Sequence, residues 1–335
     1  MLYQFEFRTY QRKFKRPLQT SHGIWDIRSG IILRLVGENN RIGWGEIAPL
    51  SWFGSETFEQ ALDFCHQLPA NISSEMIFAI SAELPACQFG FESAWENITK
   101  VIENSQLAEE KMPKNRFSGL LPAGETALQA LPMLWLEGYR TFKWKIGVAA
   151  IEEELNIFQQ LIAAMHNLCD RQKPLLRLDA NGGLSYSQAE KWLEACDSVT
   201  ATPDFAAEIE FLEQPLPIAQ FQEMVQLNAI YATAIALDES AANVDRIQEC
   251  YSQGWRGIFV IKPAIGGSPS QLRKFCQTHN IDAVFSSVFE TQIGRQAALN
   301  LATKLSLNKR ALGFGTDSWF DDNQDTWLQH LWQKI

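Results

Sequence analysis

The chain has 335 residues, enough for a β/α barrel, which typically takes roughly 250 residues, plus a second, smaller unit. With a net charge of −10, 46% apolar and 20% charged residues, it has the make-up of a soluble globular enzyme and argues against a surface built to neutralise nucleic-acid phosphates or anionic lipid. No apolar run approaches the roughly 20 residues of a membrane span, and the six scattered cysteines include no C-x-x-C pair, so a cytoplasmic protein with free thiols and a small-molecule partner is expected.

Taken in chain order, LYQFEFRTY and GIILRLV alternate apolar and polar residues as strands do, which also distinguishes the N-terminus from a signal peptide. The segment GENNRIG supplies the residues of a tight turn into GWGEIAPL, predicting a small antiparallel sheet. ETFEQALDFCHQL and CQFGFESAWENITKVIE hold apolar residues at helical spacing. Residues 1–115 therefore read as an α+β unit, with the polar EEKMPKNR as linker. Within it His22 lies in PLQTSHGIWD, as a turn residue or a substrate contact. Trp25 and Trp52 fall in glycine-containing loops and are candidates for lining a pocket.

Beyond this unit, short β-rich runs alternate with longer amphipathic stretches: YRTFKWKIG, LLRLDANG, EIEFLEQP, AIALDES, GIFVIKP, DAVFSSVFE and ALGFGTD, each separated by a segment able to form a helix. Counting GLLPAG as the first, eight parallel strands with crossover helices are predicted, the number that closes a barrel over 116–315. The count leans on its two weakest members, the first and the last.

In such a barrel the chemistry sits at the C-terminal strand ends, and here those ends are unusually polar. They carry Lys143 and Lys145, Asp179 and Asn181, Glu213, Asp238, Lys262 and Ser286. The intervals from Lys145 to Asp179 and from Asp179 to Glu213 are 34 residues each, and those onward to Asp238, Lys262 and Ser286 are 25, 24 and 24, each about one strand, helix and return. Because strand side chains alternate, Lys143 and Lys145 share a face, as do Asp179 and Asn181. Three carboxylates on consecutive strands then meet at one point, where their repulsion calls for a cation. An all-oxygen set with neither His nor Cys favours Mg²⁺ over zinc. Lys145 and Lys262 flank that centre from opposite sides, and one lysine is suited to act as general base beside a substrate carboxylate. For any single strand-end ion the alternative is a structural salt bridge. Five such ions in ordered succession argue against that for the set. The glycines of IGGSPS lack the lysine of a phosphate-binding loop.

The ordered set K-W-K at 143–145, D-A-N at 179–181, E-Q-P at 213–215, L-D-E-S at 237–240 and V-I-K-P at 260–263, preceded by GWGEIAPL at 43–50, resembles the enolase superfamily in its muconate-lactonizing subgroup, and most nearly the o-succinylbenzoate synthase family. The likeness covers nearly the whole chain. It implies an α+β cap on a modified (β/α)7β barrel, with the C-terminal tail, about 316–335, returning to the cap. It also implies Asp179, Glu213 and Asp238 as Mg²⁺ ligands, with Mn²⁺ as a possible substitute. Lys145 would be the base, Lys262 the opposing lysine and Lys143 a lysine that tunes Lys145. Asn181 would sit beside the metal-bound carboxylate, and Ser286 and the Gly313 backbone would contact the substrate's succinyl side. The implied reaction is syn dehydration of 2-succinyl-6-hydroxy-2,4-cyclohexadiene-1-carboxylate to 2-succinylbenzoate, a step of menaquinone or phylloquinone synthesis. The oligomeric state is left open, as the family varies in it.

The same scaffold permits racemisation or epimerisation of N-acylamino acids or dipeptides, with lysines on both faces, or cycloisomerisation of muconate-like acids. The eighth-strand motif GFGTD lacks the D-x-D pattern that many epimerases use to hold a substrate amine, which favours the dehydratase. A non-catalytic barrel serving as a binding module would show a missing lysine or ligand, and every position of the set is filled.

Overall fold

The computed structural model describes residues 1–20, 23–99, 112–169, 172–202, 206–316, 319–320 and 324–333. His22 lies outside them. The alternating N-terminal segments form a long hairpin of β1 (Leu2–Thr20) and β2 (Gly23–Val36), in register Phe5↔Leu35, Phe7↔Leu33 and Thr9↔Ile31. β3 (Ile42–Ile47) pairs with β2 and a short β4 (Asn71–Ser73) with β1, giving an antiparallel sheet in the order β3-β2-β1-β4. β4 and the one-turn helix α2 (Ser74–Phe78) carry no periodic pattern long enough to predict. Trp25 corrects an expectation: it is a β2 residue paired with Leu18, not a loop residue, because the hairpin runs much further than its apolar alternation does.

Helix α1 (Phe58–Gln67) opens with a capping box in which Thr57 and Gln60 satisfy each other's backbone N–H groups. Helix α3 (Pro85–Thr99) lies directly on β3. The glycines of the GWG segment permit that approach, since a Cβ at Gly43 or Gly45 would stand 2.0 Å from the carbonyl oxygen of Ala94 or Gly90. Trp44, between them, points the other way and meets Trp332 of α11 (Gln324–Gln333) edge-on. Trp327 of the same helix meets Tyr10 of β1.

Seven parallel strands follow: β5 (Ser118–Leu121), β6 (Thr141–Lys145), β7 (Leu175–Asp179), β8 (Glu208–Glu213), β9 (Ile235–Leu237), β10 (Ile258–Ile261) and β11 (Ala283–Phe285), hydrogen-bonded in that order. Helices α4 (Thr126–Leu136), α5 (Ile151–Leu168), α6 (Tyr186–Thr200), α7 (Phe221–Ile230), α8 (Val244–Ser252), α9 (Pro269–His279) and α10 (Gln292–Leu305) alternate with them. The eighth strand is reduced to two bridged residues, Leu312 beside Phe117 and Gly313 beside Ser286, which link the two edges of the sheet. Phe211, Ala236, Ile258, Val260 and Val284 fill the interior as a separate apolar cluster, so the barrel is packed below its mouth. Trp144, Trp192 and Trp255 are fully buried packing residues. All six cysteines are free thiols, and no described helix is long and apolar enough to cross a membrane.

So short an eighth strand closes the barrel with little backbone hydrogen bonding, and charged side chains reinforce the seam. Arg310 makes two 2.9 Å contacts with Asp282 and one of 2.8 Å with Glu210. Arg177, only 2% exposed, holds the other Glu210 oxygen at 2.6 Å and donates to the Ala311 carbonyl at 2.8 Å. Burial pushes the Glu210 carboxyl up, but the two guanidiniums outweigh it and hold it below its ordinary range. A carboxylate depressed in the folded state stabilises the fold above its unfolded pKa, and that contribution is lost as pH falls through the folded value. Glu210→Ala strands the buried Arg177 charge and is expected to cost about 3 kcal/mol in urea unfolding at pH 7, with the deficit shrinking at acid pH. An unchanged urea midpoint would show that the seam does not depend on these ions.

The cap is fastened to the barrel by carboxylates placed at helix N-termini. Glu46 of β3, fully buried, accepts from the Thr291 and Gly294 N–H groups at the start of α10, each at 2.9 Å, and from the Tyr10 and Thr291 hydroxyls. Glu92 of α3 accepts from Ser270 N–H in the first turn of α9 at 3.0 Å, and Glu96 pairs with Arg273.

Candidate active site at the barrel mouth

Strand register sets the first layer of the site. Lys145 pairs with Asp179, Asp179 with Glu213, and Glu213 with Ala236, so these side chains face the same side of the sheet. Ala236 and Ile258 are paired and belong to the interior cluster, which identifies that side as the barrel interior. Asp238 lies two residues beyond Ala236, and Lys262 four beyond Ile258, on the same face. Lys143 is one layer deeper, beside Arg177. The two lysines, three carboxylates and Lys143 predicted from sequence therefore open into one mouth.

Lys143 bridges two of the carboxylates, with Nζ 2.8 Å from both Asp179 Oδ2 and Glu213 Oε1, and Lys262 pairs with Asp238. Lys145 takes part in no ion pair among the described residues. Burial works to lower the Lys143 pKa, yet Asp179, Glu213 and Asp238 outweigh it and hold the ammonium well above its usual range. Asp179, pushed up by burial, is brought below the ordinary carboxylate value by Lys143 and by the Asn181 N–H. Glu213 is pushed up to about 8, by burial first and by Asp179 and Asp238 in addition, against the opposing pull of Lys143. Asp238 rises to about 6, again chiefly from burial, with Lys262 opposing and Glu239 adding. The carboxylates thus feel one another, and the site has more buried negative charge than its lysines offset comfortably.

A hard dication fits this donor set of carboxylate oxygens at adjacent strand ends. Among the described residues no three His, Cys, Asp or Glu side chains close around one point. Lys143 lies between Asp179 and Glu213 and Lys262 lies on Asp238, and these ammonium groups offset part of the cluster's negative charge.

Three supporting residues were not singled out from sequence. Gln214, fully buried with φ 36°, accepts from the N–H groups of Asp238 and Ser240 at 3.0 and 3.1 Å and donates to the Ser240 hydroxyl at 2.8 Å. It thereby fixes the backbone on which Asp238 rides. Glu154 of α5 accepts from the N–H groups of Gly147, Val148 and Ala149 at 2.8 to 3.0 Å, holding the loop that follows Lys145. Glu239 accepts from the Asn181 side chain at 3.1 Å, and Asn181 in turn donates its N–H to Asp179 at 3.0 Å. Local pattern gives no warning of Gln214 or Glu154, because their partners are backbone groups on neighbouring loops. Glu239 was visible only as the residue after Asp238.

Ser286 and Gly313 come together across the seam, the Ser286 hydroxyl donating to the Gly313 carbonyl at 3.3 Å. A Cβ at Gly313 would stand 2.7 Å from that hydroxyl oxygen. Trp25 meets Phe14, Trp52 and Phe289 at ring-centroid distances of 5.0, 5.1 and 5.6 Å, so it belongs to an aromatic cluster that joins β1, β2, the turn at 51–53 and the loop after β11.

The family pattern described as "Enolase C-terminal domain-like" matches residues 125–330, and that described as "MenC, N-terminal domain" matches residues 9–98. The o-succinylbenzoate synthase of Thermosynechococcus vestitus is 36% identical, with 99% of each chain covered. A crystal structure of o-succinylbenzoate synthase from Thermosynechococcus elongatus BP-1, complexed with Mg in the active site, superposes with a TM-score of 0.86 at 36% identity, covering 99% of this chain and 100% of that one. A dipeptide epimerase from Enterococcus faecalis shares the fold at TM-score 0.72 and 19% identity, covering 96% of this chain and 92% of that one. Full-length identity at that level, an N-terminal unit and a barrel matched by their own family patterns, and a polar strand-end set complete at every position place the chain in the o-succinylbenzoate synthase family, metal-dependent carbon–oxygen lyases of the enolase superfamily.

Proposed function

We propose that the protein dehydrates 2-succinyl-6-hydroxy-2,4-cyclohexadiene-1-carboxylate to 2-succinylbenzoate, a step of menaquinone or phylloquinone synthesis, with Lys145 as both base and acid. The observation that carries this reading is the lateral register of Lys145, Asp179 and Glu213 on one interior face. In this reading Asp179, Glu213 and Asp238 would hold Mg²⁺, or Mn²⁺ in its place. The bound ion would supply positive charge to the substrate carboxylate as its neighbouring carbon loses a proton.

The Lys145 amine takes the ring proton α to the carboxylate, and the C–H pair shifts into the ring. The C6–O bond breaks, and the Lys145 ammonium returns the proton to the departing hydroxyl, which leaves as water. One lysine suffices because both bonds lie on the same face of the ring. Lys262 faces the negative charge from the far side of the barrel, and Lys143 offsets the charge of Asp179 and Glu213. Asn181 orients Asp179, while Ser286 and the Gly313 backbone meet the succinyl arm. Trp25 faces the mouth from the cap, and we take His22, which lies outside the described residues, as a further substrate contact. We assign residues 1–115, with the tail at about 316–335, to the capping unit and 116–315 to the catalytic barrel.

The test is direct. Purified protein with Mg²⁺ and the cyclohexadiene substrate should generate the absorbance of the aromatic product, and chelation should abolish it. No product under these conditions would overturn the assignment.

A further inference from the structure

We propose that Phe53, a cap residue, is a positioning residue for Lys262, its ring face holding the lysine ammonium in place beside Asp238. Lys262 Nζ lies 3.8 Å from the centroid of the Phe53 ring and is paired with Asp238. A lysine side chain has four flexible torsions and loses much rotamer entropy when fixed. One ion pair leaves the ammonium free to swing about its partner; a second contact from another direction defines its position. A cation–π contact in a partly desolvated site supplies such a second contact. Lys262 qualifies, its side chain being only 12% exposed.

The turn that carries Phe53 is built to deliver it. Phe53 N–H donates to the Leu50 carbonyl at 2.9 Å, Gly54 N–H to the Ser51 carbonyl at 3.2 Å, and Ser55 accepts from Leu50 N–H at 2.6 Å. Gly54 turns the chain at φ 105° close against Ala242, in the loop after β9 that also carries Asp238. Trp52 ties the same turn to Trp25 of β2. On its outer side the turn borders a cavity of about 640 Å³, lined by Trp52, Phe53, Ile218, Phe221 and Glu239 among others. The ring is therefore not enclosed on every side, but it packs against the main hydrophobic core, so the turn and that packing set its place over the ammonium. The cap thus adds a group to the barrel's own site, and the benefit to turnover rests on the dehydratase reading, in which Lys262 faces substrate.

Two variants separate a π face from simple bulk. In protein labelled with ¹³C-lysine, the ε-protons of Lys262, identified by their disappearance in Lys262→Arg, should be shifted upfield by the ring current. That shift should persist in Phe53→Tyr and vanish in Phe53→Leu. Phe53→Leu should lower kcat/KM about ten-fold and Phe53→Tyr by no more than about two-fold. In a Lys262→Met background, Phe53→Leu should leave affinity for 2-succinylbenzoate unchanged, although it weakens binding when Lys262 is present. Absence of the ring-current shift in the native protein, equal losses in the Leu and Tyr variants, or an undiminished Leu effect without Lys262 would each overturn the inference. If the native protein shows the shift yet yields no aromatic product, the dehydratase reading is what fails and the contact stands.

Discussion

Lys145→Ala is expected to lower kcat by about 10⁴-fold, the upper end of what a positioned general base contributes, while thermal unfolding and Mg²⁺ affinity stay close to those of the native protein. The expectation follows from where the lysine sits. Lys145 is laterally paired with Asp179 on the interior face but takes no part in the ion pairs that join Lys143 to Asp179 and Glu213, or Lys262 to Asp238. Removing it therefore leaves the carboxylates with their charge partners and the strand with its hydrogen bonds. Removing Lys143 instead would uncover two buried carboxylates, and a loss of activity there would confound charge balance with proton transfer. Single-turnover assays beside calorimetric Mg²⁺ titration distinguish the outcomes. Residual activity within about ten-fold of native would assign the base elsewhere, with Lys262 the first alternative.

Glu213→Gln should weaken Mg²⁺ binding by more than about 100-fold, since even the loss of an outer hydrogen-bond partner of a metal ligand costs about 10- to 100-fold. The same substitution should act oppositely on the metal-free protein. Glu213 is 1% exposed, and its pKa is raised from 4.5 to about 8 by burial and by its acidic neighbours. A carboxyl that is raised on folding ionises more readily in the unfolded chain, so its effect is to lower stability as pH rises from 4.5 towards about 8. Glutamine carries no such charge, and Lys143 keeps Asp179 as a partner at 2.8 Å. In chelator, the variant should therefore melt at or above the native temperature at pH 8, and its melting temperature should fall less steeply with pH. With Mg²⁺ present the order should reverse, because only the native protein gains from binding. Native-like Mg²⁺ affinity in the variant would remove Glu213 from the ligand set.

Much of this architecture is legible in the sequence. The alternation in LYQFEFRTY and GIILRLV marked two strands of a small antiparallel sheet, because one covered face requires period two, and the structure joins them as one long hairpin. The recurrence of β-rich runs and amphipathic stretches specified parallel strands with crossover helices. The convergence of Lys143, Lys145, Asp179, Glu213, Asp238 and Lys262 followed from strand ends and side-chain parity alone, which are properties of the repeat. Elements too short to show a period were not legible. β4 and α2 fall in this class, and the eighth strand, expected as a full member, proves to be two bridged residues.

What sequence determined by itself was therefore the class of fold and the set of charged residues at its mouth, since both depend on periodicities carried by neighbours in the chain. What only the tertiary structure decided was how those charges are held. Gln214 anchors the Asp238 backbone from the preceding strand end, Glu154 fastens the loop after Lys145, Glu46 secures α10 from the cap, and Phe53 lies on Lys262. Lys143 bridging two carboxylates, rather than standing beside Lys145 alone, belongs to the same class. Each of these contacts joins residues from different elements, often far apart in the chain. Their strength depends on burial and on angles that no local pattern encodes, so they exist only once the strands have closed and the cap has docked.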